Sequence, residues 1–222
     1  MSAANPERIR LVRSDPGGAP SLRVVVVSAG LSEPSSTRLL ADLLAHAVGE
    51  SLPEAVVEHV ELRPLAHAIT DAMLTGFAGP ELAAAQQLVA QADAVVAVTP
   101  VYSASLSGLF KSFFDVLETG ALAGTPVLVA ATAGTARHSL VLDHALRPLF
   151  SYLRAVVVPT GVFAASEDWG AAGAATALRT RVDRAATELA ALLRLTPAAP
   201  KLDQFDRDVA AMGSFEDLLR GQ

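Results

Sequence analysis

Hydroxyl side chains crowd the ten-residue segment 28–37, which reads SAGLSEPSST. The segment follows a run of valines and precedes residues with helical periodicity, so these hydroxyls stand at the start of a predicted helix. Free backbone amides, hydroxyls and the helix dipole together bind anions at such a position. The segment contains no lysine, and the nearest base is Arg38. The pattern therefore indicates a phosphate held mainly by hydrogen bonds, with an ordinary helix N-cap as the alternative interpretation.

Two further segments combine small residues with groups that suit a planar ligand. Residues 99–108 (TPVYSASLSG) follow another apolar run, where Pro100 stiffens the chain and Tyr102 offers an aromatic ring. Residues 132–138 (TAGTARH) follow a third run, and their small side chains allow a ligand to approach the backbone closely. Each segment by itself is also consistent with a plain turn, in which Tyr102 is a surface residue and His138 a solvated residue near a helix start.

Other catalytic and binding motifs are missing or badly spaced. The sequence has no cysteine, which excludes disulfides, thiolate metal ligands and thiol nucleophiles. It has neither the G-x-G-x-x-G of dinucleotide folds after its first apolar run nor the G-x-S-x-G of α/β-hydrolases. A hydrolase that uses Ser103 or Ser105 with His138 is a further alternative. Its aspartate would be Asp143, which follows His138 on one predicted helix and is badly placed to orient it.

Composition limits the class of protein. The 222 residues are 51% hydrophobic and 18% charged, which is enough apolar material for a full core. The net charge is −6 and no segment carries a basic run, so binding to nucleic acid through its phosphates is disfavoured. Residues 1–20 lack the apolar segment of a signal peptide, and the longest apolar runs are too short to span a membrane. We therefore expect a cytoplasmic protein that binds neither membranes nor nucleic acids.

Five short runs rich in β-branched residues alternate with segments of helical periodicity. The runs are residues 22–28, 56–62, 94–99, 127–132 and 155–160. Their alternation with helices predicts an α/β fold in which helices cover both faces of a parallel sheet. The second run contains Glu58, His59 and Glu61, which favours a place at the sheet edge. Ligands of such sheets bind beyond the carboxyl ends of the strands, where all three segments described above lie.

The apolar periodicity and the breakers between runs predict the remaining organisation. Helices are predicted around residues 40–48, 82–89, 106–117, 142–153 and 174–195. Residues 1–20 are predicted to be a flexible leader, 21–195 one domain, and 196–222 a linker with an acidic tail. Apolar positions in the tail, among them Phe215, Leu218 and Leu219, predict a short amphipathic helix that packs across a neighbouring subunit. A frayed terminus is the alternative.

Together the three segments resemble the NAD(P)H-dependent FMN reductases of the flavodoxin-like fold. The matching pieces are residues 25–37 (VVVSAGLSEPSST), 99–115 (TPVYSASLSGLFKSFFD) and 132–153 (TAGTARHSLVLDHALRPLFSYL). The pattern P-x-Y-x-x-S-x-x-G-x-x-K-x-x-x-D in the second piece is the most specific, because it joins a loop and a helix in one register. Similarity extends over roughly residues 22–195 and is closest to the reductases that serve luciferase-like monooxygenases. The resemblance implies a three-layer sandwich with a five-stranded parallel sheet in the order 2-1-3-4-5.

The resemblance also implies how FMN is bound. The first segment would hold the phosphate, the second would line an edge of the isoalloxazine, and the third would approach its pyrimidine end. The cofactor-binding residues so implied are Ser28, Leu31, Ser35, Ser36, Thr37, Pro100, Val101, Tyr102, Ser103, Thr132, Ala133, Gly134 and Thr135. Lys111 and Asp115 would support the second loop at a subunit interface. Many members have two glycines where this chain has Ala133-Gly134, and the extra methyl group is expected to weaken flavin binding or tilt the ring.

The activity implied is hydride transfer from nicotinamide C4 to flavin N5, with NADH or NADPH as the donor. The cofactors carry this chemistry, so no side chain is assigned a catalytic role and no metal is expected. Backbone amides of the third segment would stabilise charge near flavin N1 and O2. Reduced FMN would pass to a partner flavin-dependent monooxygenase, and the enzyme would form a homodimer or tetramer.

Two other functions stay open on the same fold. A quinone or azo-compound reductase would keep FMN tightly bound and reduce a second substrate. A flavodoxin-type electron carrier would have no substrate of its own. Carriers are typically acidic around the flavin for docking, whereas Glu33 is the one acid in residues 28–37.

Overall fold

Strands and helices alternate through residues 22–170 and 172–195, the part of the chain that the computed structural model describes. Short single turns of 3₁₀-helix occupy residues 136–138 and 166–169, and a π-helical turn occupies Leu142–Leu146. The strands and helices are β1 (Arg23–Ser28), α1 (Ser36–Ser51), β2 (Val56–Glu61), α2 (Ala66–Thr75), α3 (Pro80–Ala90), β3 (Ala94–Tyr102), β4 (Ser105–Leu106), α4 (Gly108–Asp115), β5 (Pro126–Ala133), α5 (Arg147–Tyr152), β6 (Val156–Val157), β7 (Val162–Ala165) and α6 (Ala172–Leu195).

The main sheet is parallel and has the strand order of the flavodoxin-like fold. Strands run β2-β1-β3-β5, and β6 and β7 both pair with the far side of β5. The order reverses between β1 and β3, which makes their carboxyl ends the place where ligands of doubly wound sheets bind. This topology confirms the predicted order 2-1-3-4-5, with β5 in the fourth position and β6 and β7 sharing the fifth. Strand β2 pairs with β1 alone among the described strands, which confirms its predicted place at the edge.

Valines on β1 alternate between two cores because successive strand side chains point to opposite faces. Val24 and Val26 pack with α1 and α6, whereas Val25 and Val27 pack with α2, α3, α4 and α5. Both cores are fully buried at the sheet, so the predicted three-layer sandwich is confirmed. The second core contains four phenylalanines whose ring centroids lie 4.7–6.3 Å apart: Phe110, Phe113, Phe114 and Phe150.

The fifth strand is split, which corrects the single run predicted at residues 155–160. Val156 pairs with Pro126 and Val162 pairs with Ala130, so seven residues of this strand position (156–162) lie beside five of β5 (126–130). Side chains from both layers hold the extra loop: the Arg147 guanidinium donates to the Val158 carbonyl at 3.0 Å. On the other face, Glu188 accepts from the amide and hydroxyl of Thr160 at 2.6 and 2.7 Å. The interruption contains Pro159 and Gly161, which disfavour a continuous strand, whereas the side chains that hold the loop come from two distant helices.

Three elements were not predicted: helix α2, the two-residue strand β4 and the π-helical turn. Helix α2 buries only Ile69 and Ala72, too few apolar positions for a helical period to be recognised. The π turn lies inside the predicted fourth helix and keeps Leu146 buried. The predicted leader (1–20) and the predicted linker and tail (196–222) lie outside the described residues. Within residues 22–170 and 172–195, no helix is both long and apolar enough to cross a membrane.

Candidate functional site

The three segments singled out from the sequence meet at the carboxyl edge of the sheet. Beyond the end of β1, the Ala29 amide donates to the Val98 carbonyl at 3.1 Å. Pro100 stands beside Thr132 in the pairing of β3 with β5. The hydroxyls of Thr37 and Thr132 form a buried hydrogen bond of 2.8 Å. The start of α1 and the ends of β1, β3 and β5 therefore meet at one edge, from which all three loops begin, as the rule for doubly wound sheets requires.

The loop after β1 delivers the N-terminus of a long helix to this edge. Ser35 is the N-cap, and its hydroxyl accepts from the Arg38 amide at 3.2 Å. The amides of Ser36 and Thr37 have no acceptor among the described residues and stay available to a ligand. Gly30 makes the tight turn feasible, because a Cβ there would lie 2.1 Å from the Ser35 hydroxyl oxygen. The first turn of α1 thus combines free amides with hydroxyls, a donor set that fits a phosphate.

The nearest base to this helix end is engaged elsewhere. Arg38 Nε donates to Asp42 at 2.7 Å, and its guanidinium also pairs with Glu61 on the edge strand. Partial burial lowers the pKa of Arg38, but the hydrogen bond to Asp42 and the charges of Glu61 and Asp42 outweigh burial and raise the pKa. The side chain is therefore a permanent cation whose charge is already balanced. A phosphate at α1 would meet neutral donors, in agreement with the sequence prediction.

The loop after β3 is a tight hairpin, which was not predicted. Strand β3 runs two residues past Pro100 and pairs with β4, so that Tyr102 faces Ser105. The two turn residues, Ser103 and Ala104, have φ of 49° and 66°, the left-handed conformation of a type I′ turn. Strand β3 thus continues past its last pairing with β5, at Pro100, so that Val101 packs against the core and the Tyr102 ring is left half-exposed.

Thr99 is a positioning residue that the sequence analysis did not select. Its buried hydroxyl accepts from the Ser107 amide at 3.1 Å and donates to the Pro100 carbonyl at 2.9 Å, which ties the hairpin to the start of α4. Ser107 then caps α4 by accepting from the Phe110 amide at 3.2 Å. The sequence signal that could have identified Thr99 is its position directly before a proline at the end of a predicted strand.

The loop after β5 leaves an open backbone surface. Gly134 is exposed, and a Cβ added there would meet nothing within 4 Å. Ala133 packs its side chain against the core on the α2–α5 side, and the effect of its methyl group on flavin stays a prediction. Thr135 caps the following 3₁₀ turn by accepting from the Arg137 amide at 3.0 Å.

The other residues considered in the sequence analysis lie at the end of β1, on the loop that follows it, and on helices. Ser28 is buried at the end of β1, and Leu31 is exposed on the loop that follows. Lys111 and Asp115 pair with each other at 2.7 Å along the exposed face of α4, and their predicted support of the second loop at a subunit interface stays a prediction. Asp143 pairs with Arg147 at 2.9 Å, so it does not orient His138 as a hydrolase would require. Within the described residues, no cluster of His, Asp or Glu side chains is suited to a metal ion.

The family of NADPH-dependent FMN reductases matches residues 22–170, from the start of β1 to the loop after β7. This match covers all three loops and more than half of the chain. The chain belongs to this family. Membership confirms the predicted resemblance and the predicted enzyme class, an oxidoreductase that uses FMN and NAD(P)H. The predicted branch, reductases that serve luciferase-like monooxygenases, stays a prediction.

Individual FMN reductases are similar over most of their length. The chain is 43% identical over 148 residues to an FMN reductase (NADPH) of Pseudomonas aeruginosa, which is 66% of this chain and 78% of that protein. It is 43% identical over 168 residues to the NADH-dependent FMN reductase SfnE of Pseudomonas putida, 72% of this chain and 88% of that protein. An oxidoreductase structure from Corynebacterium diphtheriae superposes with a TM-score of 0.76 and 48% identity, covering 80% of this chain and all of that one.

Proposed function

We propose that the three loops form the FMN site of this reductase and that the site binds flavin as an exchangeable substrate. The phosphate lies at the N-terminus of α1, against the amides of Ser36 and Thr37. The ring lies between the hairpin after β3 and the loop after β5. The observation that carries this placement is the hydrogen bond between Thr37 and Thr132, which brings the phosphate-binding turn and the third loop together.

When bound, FMN supplies the electron-accepting chemistry by taking a hydride at N5 from the nicotinamide. The protein's own contribution is geometric and electrostatic. Pro100, Val101 and Tyr102 line one edge of the ring and limit the access of water to it. Backbone amides beyond Thr132 donate to the pyrimidine end, where negative charge develops. The chain would therefore contribute no side-chain acid to hydride transfer, and its role would be to hold and orient the two nucleotides.

A flavin titration tests the placement. The Thr37→Val variant loses a hydroxyl beside the phosphate and is expected to bind FMN about tenfold more weakly, the scale of one hydrogen bond to a charged group. The matched control is Thr180→Val, an exposed threonine on α6 whose hydroxyl donates within its own helix to the Thr176 carbonyl at 3.0 Å. Quenching of flavin fluorescence gives both dissociation constants. Equal affinities in the two variants would place the phosphate elsewhere.

Release of reduced FMN to a partner monooxygenase is the proposed role in the cell. This role is supported by the donors at the phosphate site, which are neutral because Arg38 is paired with Asp42 and Glu61. A site without an available positive charge binds a phosphate dianion weakly. A quinone or azo reductase on the same fold would instead retain its flavin. Protein that purifies without yellow colour, and that bleaches added FMN with NADH or NADPH, supports the exchange role. Quinone turnover by a yellow protein without added FMN would favour the alternative.

We also propose a cytoplasmic homodimer or tetramer. Supporting self-association, Met73, Leu74 and Phe77 at the end of α2 are 53%, 81% and 80% exposed, beside a cavity of about 560 Å³. Such a cluster of large apolar side chains is typical of a protein interface. A second copy of this chain is the proposed occupant, and the tail at residues 201–222 is proposed to lie across that copy. The mass of the full chain in solution, compared with Phe77→Ser and with a chain lacking residues 201–222, tests both proposals.

A further inference from the structure

Lysine and arginine are nearly absent from the three loops. Segments 28–37, 99–108 and 132–138 together contain one such residue, Arg137. Four arginines on the elements around these loops are paired with carboxylates. These pairs are Arg38 with Asp42 and Glu61, Arg63 with Glu33, Arg147 with Asp143, and Arg181 with Asp168. Within the three loops themselves, Arg137 is therefore the one guanidinium offered to an anionic ligand, and it has no carboxylate partner among the described residues.

Arg137 is fixed at its backbone and free at its side chain. It lies in the 3₁₀ turn directly after β5, where the Thr135 hydroxyl accepts its amide hydrogen. The residue is exposed and forms no ion pair with any described residue. Residues 132–142 contain no Asp or Glu that could neutralise it along the chain. Its guanidinium can therefore reach a ligand within a small radius around the third loop.

A nicotinamide dinucleotide is the anion that this position suits. The nicotinamide must stack on the exposed face of the flavin ring to deliver its hydride, so the rest of the dinucleotide extends over the loops around the ring. Both donors carry a pyrophosphate, and NADPH carries a further phosphate on the adenosine ribose. On a chain with a net charge of −6, an unpaired arginine gives local attraction, and its planar fork binds phosphate oxygens bidentately.

We propose that Arg137 binds a phosphate group of the nicotinamide dinucleotide and sets the affinity of the enzyme for its hydride donor. The proposal rests on the placement of the flavin ring given above. It assigns Arg137 no part in holding FMN, whose phosphate lies at α1. The adenosine phosphate and the pyrophosphate share the same chemistry, and a comparison of the two donors separates them.

Steady-state kinetics with saturating FMN test the proposal. The variants are Arg137→Ala and the control Arg184→Ala, an exposed arginine on α6 that forms no ion pair with described residues. We expect Arg137→Ala to raise the nucleotide KM about tenfold while kcat changes less than twofold, the scale of a lost charge-assisted contact. If the KM rises for NADPH alone, Arg137 binds the phosphate on the adenosine ribose. If the KM rises equally for NADPH and NADH, Arg137 binds the pyrophosphate. Arg137→Lys, which keeps the charge but not the fork, is expected to lie between the wild type and Arg137→Ala.

Two results would overturn the proposal. One is an unchanged KM for both donors in an Arg137→Ala protein with wild-type circular dichroism. The other is a rise in the FMN dissociation constant of that variant with no change in nucleotide KM, which would move Arg137 to the flavin. Failure of the flavin site itself is a separate outcome, because it would show as unchanged FMN affinity in Thr37→Val.

Discussion

The hydroxyls of Thr37 and Thr132, two residues 95 positions apart in the chain, share a hydrogen bond across the carboxyl edge of the sheet, with their oxygens 2.8 Å apart. Thr37 is in the first turn of α1, and Thr132 is near the end of β5, on the far side of β3. Both side chains are buried. One hydrogen bond thus sets the spacing between the loop proposed to bind the phosphate and the loop proposed to bind the ring.

Removing either hydroxyl should cost stability in a non-additive way. Thr37→Val and Thr132→Val each leave a buried hydroxyl without its partner, and each is expected to lower the free energy of unfolding by about 1–2 kcal/mol. The double variant should lose less than the sum, because the second substitution removes a group that was already unpaired. Urea unfolding followed by circular dichroism gives the three values. Strict additivity would show that the two hydroxyls do not interact in solution.

A side chain at Gly30 should disturb the N-cap of α1. In Gly30→Ala the new Cβ would overlap the Ser35 hydroxyl, so the N-cap of α1 must move. We expect a loss of about 1–2 kcal/mol of stability, the value of a helix cap, and weaker FMN binding. Gly49→Ala is the matched control, since a Cβ at this position in α1 meets nothing within 4 Å and should stabilise by about 0.5–1 kcal/mol. If both variants have the same melting temperature, the close approach of Gly30 to Ser35 is not real.

The hairpin turn after β3 is expected to gain stability from a glycine. Ala104 has a φ of 66°, where a Cβ is strained, so Ala104→Gly should stabilise the protein by about 1 kcal/mol. The same substitution at Ala83, exposed on α3, should destabilise by a similar amount because glycine weakens helices. Thermal unfolding of the two variants measures both changes. Two changes of the same sign would be incompatible with a left-handed turn.

His59 should make the protein less stable below neutral pH. Burial, and then the charge of Arg38, lower its pKa, although Asp42 and Glu61 act in the opposite direction. Because the unfolded chain binds the proton more tightly, stability is complete above the ordinary histidine pKa of about 6.5 and falls as the pH drops toward the lowered value. His59→Gln should flatten this slope, whereas His67→Gln, an exposed histidine on α2, should not. Urea unfolding at about pH 7.5 and about pH 5.5, two values that span the ordinary titration range of histidine, measures how the free energy of unfolding of each variant changes with pH.

The sheet and the place of the site follow from local sequence patterns. The runs that form β1, β3 and β5 are continuously apolar because both of their faces are covered, whereas Glu58 and Glu61 mark β2 as the edge. Once the order of the strands is known, the loops after β1, β3 and β5 must share one edge. Short-range chemistry also identified the hydroxyl-rich helix start at residues 28–37 and the motif from Pro100 to Asp115.

Tertiary structure decided what depends on residues far apart in the chain. The fifth strand is split around Pro159 and Gly161, and Arg147 and Glu188 hold the extra loop from opposite layers. The two breakers are local signals, but no periodicity within residues 155–165 reveals the two distant side chains that hold the loop. From the sequence alone, Arg38 is a base beside the predicted phosphate-binding loop. In the structure, Glu61 on strand β2 pairs with it and balances its charge. Local sequence fixes which groups are present and which face of an element they occupy. Long-range packing decides whether a charge is free or paired and which two hydroxyls form a hydrogen bond. For this reason only the tertiary structure identifies Arg137 as a cation of the three loops without a carboxylate partner among the described residues.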